Sequence, residues 1–263
     1  MGQTTIHPTA VIDPGAVIGE GVQIGPYTVI GPNVVIKNYV HIMSHCHIEG
    51  RTTIGQRTRV FPGAVIGTPP QDKKFKEGDE VYLQIGENNI LREHVMINPG
   101  TLEGGGKTVI GNNNLFMAYS HVAHDCKIGN NCTFANVATI AGHVFIDDFV
   151  IVGGLTGVHQ FVRIGKYTIV GGCSRVSQDV VPFAMCSAAE THVCGVNIIG
   201  LKRAGFSPEH IQNIKRSFKL LFFSELSYSH ALERIENELE MDENVSYLIE
   251  FVKSSERGLM GGK

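Results

Sequence analysis

Residues 110–134 read IGNNNLFMAYSHVAHDCKIGNNCTF. Ile110, Phe116, Val122, Ile128 and Phe134 stand six apart, and the beat runs on through Ile140, Ile146, Val152, Val158, Ile164 and Val170 to Val176 without a slip. Two positions before these residues the side chain is mostly small, as at Thr108, Ser120, Cys126, Cys132, Ala138, Thr156, Thr168 and Ser174. A helix repeats near 3.6 and a paired strand at 2, so neither sustains this period. Hexapeptide repetition is a signature of a parallel β-helix. Each hexapeptide supplies one short strand and one corner, and three of them make a triangular coil of about 18 residues. The aliphatic residue points inward onto its equivalent in the next coil, and the small residue fits the corner. The fold class with this repeat winds left-handed, against the usual crossover rule.

Outward from that stretch the same beat extends toward the N-terminus. Ile6, Ile12, Ile18, Ile24, Ile30, Ile36, Ile42, Ile48, Ile54, Val60 and Ile66 carry it. Gly19, Gly25, Gly31, Gly55 and Gly67 follow directly after the aliphatic, where left-handed backbone angles suit Gly. The period fails from Thr68 to Val81 and resumes at Ile85, Leu91 and Ile97. It fails again from Asn98 to Lys107 around Gly104-Gly105-Gly106. Both gaps read as loops pushed out of a corner, and long insertions in a solenoid are usually functional or disordered. Past Val181-Pro182 the period fades and turns helical from about Asn197. Ser207-Pro208-Glu209 reads as a cap, a Pro at the first helical position and an acid in the first turn. Ile211, Ile214, Phe218, Leu221 and Phe222 form one apolar face. Further helices are expected at Ser229 to Met241 and Asn244 to Lys253. The expected organisation is mainly β: a left-handed parallel β-helix over 1–190, with loops near 68–81 and 98–107, and an α-helical domain over 191–263 that caps the stack.

The composition excludes several classes. The chain has 263 residues, 31 of them Gly and none Trp. A net charge of −3 leaves no footprint for nucleic acid. No apolar run is long enough to span a bilayer, and Met1-Gly2-Gln3-Thr4-Thr5 does not open a signal peptide. Six cysteines without a C-x-x-C pair read as reduced corner-filling thiols and fit the cytoplasm.

The candidate site comes from the histidines. His124, His143 and His159 fall within one residue of an 18-residue spacing, so they are expected in one exterior column, with coils about 4.8 Å apart. His121 lies beside its base. A lone His at a corner is ordinarily structural; three in register beside a long loop point to chemistry. They could ligate a divalent metal, as in the β-helical carbonic anhydrases, or one could act as general base in acyl transfer. No further ligand type converges except Asp125, so no metal is assigned. A third alternative is a non-catalytic binder of a carrier protein. The first loop offers Gln71, Asp72 and Lys74, while Lys73 and Lys76 read as solvated. Asn197, Lys202 and Arg203 stand in the C-terminal segment, and Arg203 suits a phosphate. Lys215, Arg216 and Lys219 form either a solvated helix face or a docking patch for an acidic carrier.

Several motifs carry a resemblance over the whole length. They are His121-Val122-Ala123-His124-Asp125-Cys126, Ala141-Gly142-His143, Val158-His159-Gln160-Phe161, Gly171-Gly172-Cys173-Ser174, Gly195-Val196-Asn197 and Gly200-Leu201-Lys202-Arg203-Ala204-Gly205-Phe206. The chain resembles the UDP-N-acetylglucosamine O-acyltransferases that begin lipid A synthesis. The resemblance implies a homotrimer with sites in clefts between coils. It implies transfer of an (R)-3-hydroxyacyl chain from acyl carrier protein to the glucosamine 3-position of UDP-N-acetylglucosamine, with no cofactor beyond the carrier's phosphopantetheine. His124 matches the general base, Asp125 its orienting partner and the Gly142 N–H an oxyanion donor. Gln71 stands in the same loop as Asp72 and Lys74. Asp72, Lys74, His121, His143 and Gln160 match positions that hold sugar nucleotide or acyl chain, and His159 stands with them in the motif. Asn197 and Arg203 match the nucleotide end, and Gly172 the position that limits acyl length. Ile199 stands where other members carry an acid, and Asn98-Pro99-Gly100 where some carry His-Arg-Gly. The acceptor is therefore open between a 3-hydroxyl and a 3-amino sugar. The related N-acyltransferase has a uridine-binding domain before its coils, whereas coils here begin at about Ile6.

Overall fold

The computed structural model describes residues 2–188 and 192–262. The expected division at 190/191 falls among residues outside that description. Among the described residues the hexapeptide beat becomes short strands arranged in three sheets of 11, 9 and 8 strands. They are called here the first, second and third faces. Ile110 lies on Ile128, Ile128 on Ile146 and Ile146 on Ile164, so each coil advances the register by 18 residues. The inward aliphatics and the small residues two before them form one continuous core. Phe116 and Phe134 stack at 4.5 Å inside it. Backbone N–H and C=O groups pair coil to coil, leaving edges only at the ends.

Glycine plays a different part from the one expected. Among the glycines directly after an aliphatic, Gly67 has φ +80, but Gly19, Gly25, Gly31 and Gly55 do not have positive φ. At Gly55 a Cβ would lie 2.3 Å from the Gly86 carbonyl oxygen of the next coil, so close approach excludes a side chain there. The left-handed conformation sits two residues later and is mostly filled by other residues, among them Asp125, His143 and Phe161. Each such residue costs about 1–2 kcal/mol in isolation; the ladder on either side offsets it.

Two register steps break the rule. Ile85 lies on Ile54, a step of 31, and Ile110 lies on Ile85, a step of 25. Both extra segments leave the chain after strands of the second face, Val65–Ile66 and Met96–Ile97. They therefore emerge from the same corner, between the second and third faces, one coil apart. That corner in the next coil carries His124 and Asp125.

The two ends differ. At the N-terminal end Ile6 is 44% exposed, with no coil beneath it among the described residues. At the other end four helices close the stack: α1 (Ile198–Arg203), α2 (Pro208–Phe222), α3 (Tyr228–Glu238) and α4 (Glu243–Lys253). Ser207 caps α2, its side chain accepting from the His210 N–H. Ile211, Ile214, Phe218, Leu221 and Phe222 are buried, as the periodicity requires. The second predicted helix begins one residue earlier and stops at Glu238, where Leu239 turns extended. Unforeseen was the return of the terminal segment. Leu259 bridges Asp179, Gly262 bridges Val193, and Leu259 and Met260 are buried.

Candidate active site

The corner after the second face repeats three residues per coil. Strand pairing places His121 on Thr139 and Thr139 on Gly157. In that register His124, Gly142 and Gln160 share one position, and Asp125, His143 and Phe161 share the next. The expected column of three imidazoles is therefore not what forms. The spacings 124 to 143 and 143 to 159 miss the 18-residue step in opposite directions. His143 stacks on Phe161 at 4.4 Å, while His124 meets His143 edge-on at 5.1 Å. His159 stands apart, with its Nδ1 2.7 Å from Arg257 Nη2. Two histidines converge rather than three.

His124 is held from one side and open on the other. Its Nδ1 lies 2.8 Å from Asp125 Oδ2. The carboxylate only accepts, so Nδ1 carries the proton and Nε2 presents a lone pair; the network assigns that tautomer. Asp125 is buried at 6% exposure. Its Oδ1 accepts from the Thr101 N–H at 2.8 Å, and its Oδ2 also accepts from Thr101 Oγ1 at 2.7 Å. Its own N–H donates to Thr108 Oγ1 at 2.8 Å. The His124 ring lies against Gly142, where a Cβ would sit 2.5 Å from Cε1. The Gly142 N–H meets no acceptor among the described residues.

The two loops cover this corner. Asp72 brings Oδ2 to 3.8 Å from His124 Nε2. Lys74 Nζ reaches Glu103 of the second loop at 2.7 Å, which raises the lysine's proton affinity. Both partners are largely exposed, so the pair adds little stability. Gln71 is exposed, its amide 3.1 Å from Met96 Sδ. Asn98 Nδ2 donates to the Thr68 carbonyl at 3.0 Å and ties the loop roots together. Lys73 and Lys76 are exposed, as the solvated reading has it. Burial lowers the pKa of His121, whose Nδ1 lies 3.2 Å from the Met96 carbonyl. Burial also lowers that of His143, assisted by the charge of His124 and opposed by Asp125. A cavity of ≈ 580 Å³ opens beside His143 along the third face, lined by Lys127, Phe145, Phe161, Arg163 and Arg257 among others.

Three candidates lie elsewhere on the prism. At Gly172 a Cβ would lie 3.1 Å from the Gly154 carbonyl oxygen, at the corner between the first and second faces. Asn197 caps α1, accepting from the Gly200 N–H and donating to the Tyr167 carbonyl at 2.9 Å. That carbonyl belongs to the corner between the third and first faces. Arg203 is exposed in the last turn of α1. Within one chain these residues do not join His124. Gln160 is exposed beside His159 at the His124 corner.

His124, Asp125 and His143 each bring a potential ligand atom within 4.8 Å of the others. A cation could use that set only by displacing the two donors already on Asp125 Oδ2. The donor set fits a proton relay better than a metal cage. Sequence reasoning missed Thr101, Thr108 and Glu103. Thr108 was visible as a small corner residue. Thr101 and Glu103 carry no signal until the 25-residue register step folds the second loop back over Asp125.

A hexapeptide β-helix with a buried carboxylate–imidazole dyad beneath two corner loops is the architecture of a hexapeptide acyltransferase. The bacterial transferase hexapeptide model matches residues 3–38 and 107–142, and the model for domain 2 of UDP-N-acetylglucosamine O-acyltransferase matches 179–260. An acyl-[acyl-carrier-protein]–UDP-N-acetylglucosamine O-acyltransferase from Anaeromyxobacter sp. is 48% identical over 97% of this chain and 98% of its own. The UDP-N-acetylglucosamine acyltransferase structure from Bacteroides fragilis superposes with TM-score 0.94 at 43% identity, covering 97% of this chain and all of that one. The one from Arabidopsis does so with TM-score 0.86 at 35% identity, over 97% and 99%. The chain belongs to the UDP-N-acetylglucosamine O-acyltransferase family and is an acyltransferase with a left-handed coil. Among the described residues no helix is long and apolar enough to cross a membrane.

Proposed function

We propose that the chain transfers an (R)-3-hydroxyacyl group from acyl carrier protein to the 3-position of the glucosamine of UDP-N-acetylglucosamine, the first step of lipid A synthesis. The observation that carries the chemistry is His124: Nδ1–H on a buried carboxylate and Nε2 facing the loop-covered cleft. Nε2 removes the acceptor proton as the acceptor oxygen attacks the thioester carbonyl. Asp125 stabilises the imidazolium, and the Gly142 N–H faces the oxyanion. The C–S bond then breaks, and the imidazolium returns its proton to the phosphopantetheine sulfur. The reading calls on no metal and no resident cofactor; the acyl chain arrives on the carrier. Gln71, Asp72, Lys74, His121, His143, His159 and Gln160 hold the sugar and the acyl chain around the loops. Exposed Lys215, Arg216 and Lys219 on α2 offer the acidic carrier a docking face. The cytoplasm, where acyl carrier protein is found, is the compartment.

Product mass spectrometry with mixed acyl carriers and both 3-hydroxyl and 3-amino acceptors tests this. One acylated sugar nucleotide, with one acyl length dominant, is expected. No acylated product from either acceptor would refute the reading.

We also propose a homotrimer whose sites are shared between copies. Gly172, Asn197 and Arg203 act on a substrate that His124 reaches only if a neighbour supplies them, because they sit at other corners of the same chain. The corner bearing Gly172 also exposes Tyr119, Val137 and Leu155 in successive coils. Co-expressing His124→Ala and Arg203→Ala chains should restore activity that neither variant has alone. No recovery in mixed oligomers, or a monomer by light scattering, would overturn the shared site.

A further inference from the structure

We propose that Thr101 is the positioning residue of the dyad, and that the second insertion exists to bring it there; this rests on the acyl-transfer reading above. Asp125 sits in a left-handed backbone conformation at a corner, with φ +60. In the β-helix alone its carboxylate would meet only the His124 and His143 imidazoles and solvent. The loop changes that. Thr101 gives it two donors, one backbone and one side chain, on different oxygens. Thr101 is itself buried. The loop closes over the carboxylate so tightly that a Cβ at Gly104 would lie 2.1 Å from Asp125 Cγ. The Gly104 N–H, in turn, donates to Thr101 Oγ1 at 3.2 Å. That hydroxyl accepts from Gly104, so its own proton is directed at Asp125 Oδ2. Thr101 therefore does two things through Asp125. It fixes the plane of the carboxylate, and with it the imidazole, and it draws off part of the negative charge facing His124 Nδ1–H.

The groups facing His124 are Asp125, Asp72, His121 and His143. Of these only Asp125 touches Nδ1, so a change in its donors reaches the imidazole directly. Without the Thr101 hydroxyl, Oδ2 loses the donor it shares with His124 Nδ1–H, while Oδ1 keeps the Thr101 N–H, so both the tilt of the carboxylate and the electrostatic load on the imidazole change.

The test uses Thr101→Val and Thr101→Ser in the full-length protein. Thr101→Val keeps the backbone N–H and the shape but loses the hydroxyl. It is expected to lower kcat about 10–100-fold, with KM for the sugar nucleotide within about twofold and the acidic limb of the kcat/KM profile moved. Thr101→Ser restores most of kcat and the original profile. Wild-type kcat and profile in Thr101→Val would overturn the proposal. Equal losses in both variants with an unmoved profile would also overturn it, marking Thr101 as merely structural. An activity-independent readout separates this from failure of the acyl-transfer reading. The downfield proton resonance of His124 Nδ1–H should be present in wild type and Thr101→Ser and be shifted or lost in Thr101→Val. An unchanged resonance sinks the proposal, even if the wild-type chain acylates neither acceptor.

Discussion

His124→Ala removes transfer almost entirely: kcat is expected to fall about 10²–10⁴-fold, while the protein stays folded and oligomeric. The size follows from its place in the cleft. Asp125 holds Nδ1, which leaves Nε2 as the basic atom, facing the first loop at Asp72. His143 is the nearest other imidazole, but its Nε2 faces Asp125 Oδ2 at 3.7 Å. The His124 side chain is partly buried at a corner, its ring set edge-on to His143 and against Gly142 rather than in the core, so truncation leaves the ladder untouched. Steady-state kinetics beside circular dichroism and light scattering check the two halves together. Retention of most activity in a folded variant would show that another group takes the proton.

Gly142→Ala is expected to cost about 10²-fold in kcat without changing a single polar group. Its Cβ would come 2.5 Å from His124 Cε1 and 2.8 Å from Nε2. Those atoms belong to a ring pinned by Asp125, so the ring must tilt and carry its lone pair off line. The same methyl crowds the N–H proposed to face the oxyanion. Gly15→Ala is the matched control for general coil strain. There the atom nearest the added Cβ is the Pro32 carbonyl oxygen at 2.8 Å, a tight contact in the first coils, far from the imidazole. A Gly142→Ala enzyme as active as the control variant, by kcat, would remove Gly142 from the mechanism.

The coil was legible because one period governs backbone pairing and core filling alike. Each residue of the run from Ile110 to Val176 reports both. The cap of α2 was equally plain, since Ser207 and Pro208 are local signals. The loops were legible as interruptions but not as contacts. Thr101 reaches Asp125 across 24 positions through a segment with no period of its own. The histidine column failed on a matter of one residue. A tolerance of one position is harmless along a helix face, but on a corner it separates the left-handed site of Asp125 and His143 from that of His124 and Gly142. It is that offset which turns two rings edge-on rather than face to face. The terminal segment's return to Asp179 and Val193 was hidden because two isolated bridges leave no pattern.

Among the described residues the first coil leaves Ile6 open to water while helices cover the last, so the described stack has one sealed and one unsealed end. Stability in such a stack is a sum of neighbour interactions. Thermal fraying is therefore concentrated at the unsealed end, far along the chain from the dyad, while the sealed end keeps the catalytic turns clamped. Several coils separate Ile6 from Gly67, so loosening there is expected to leave the proton transfer untouched.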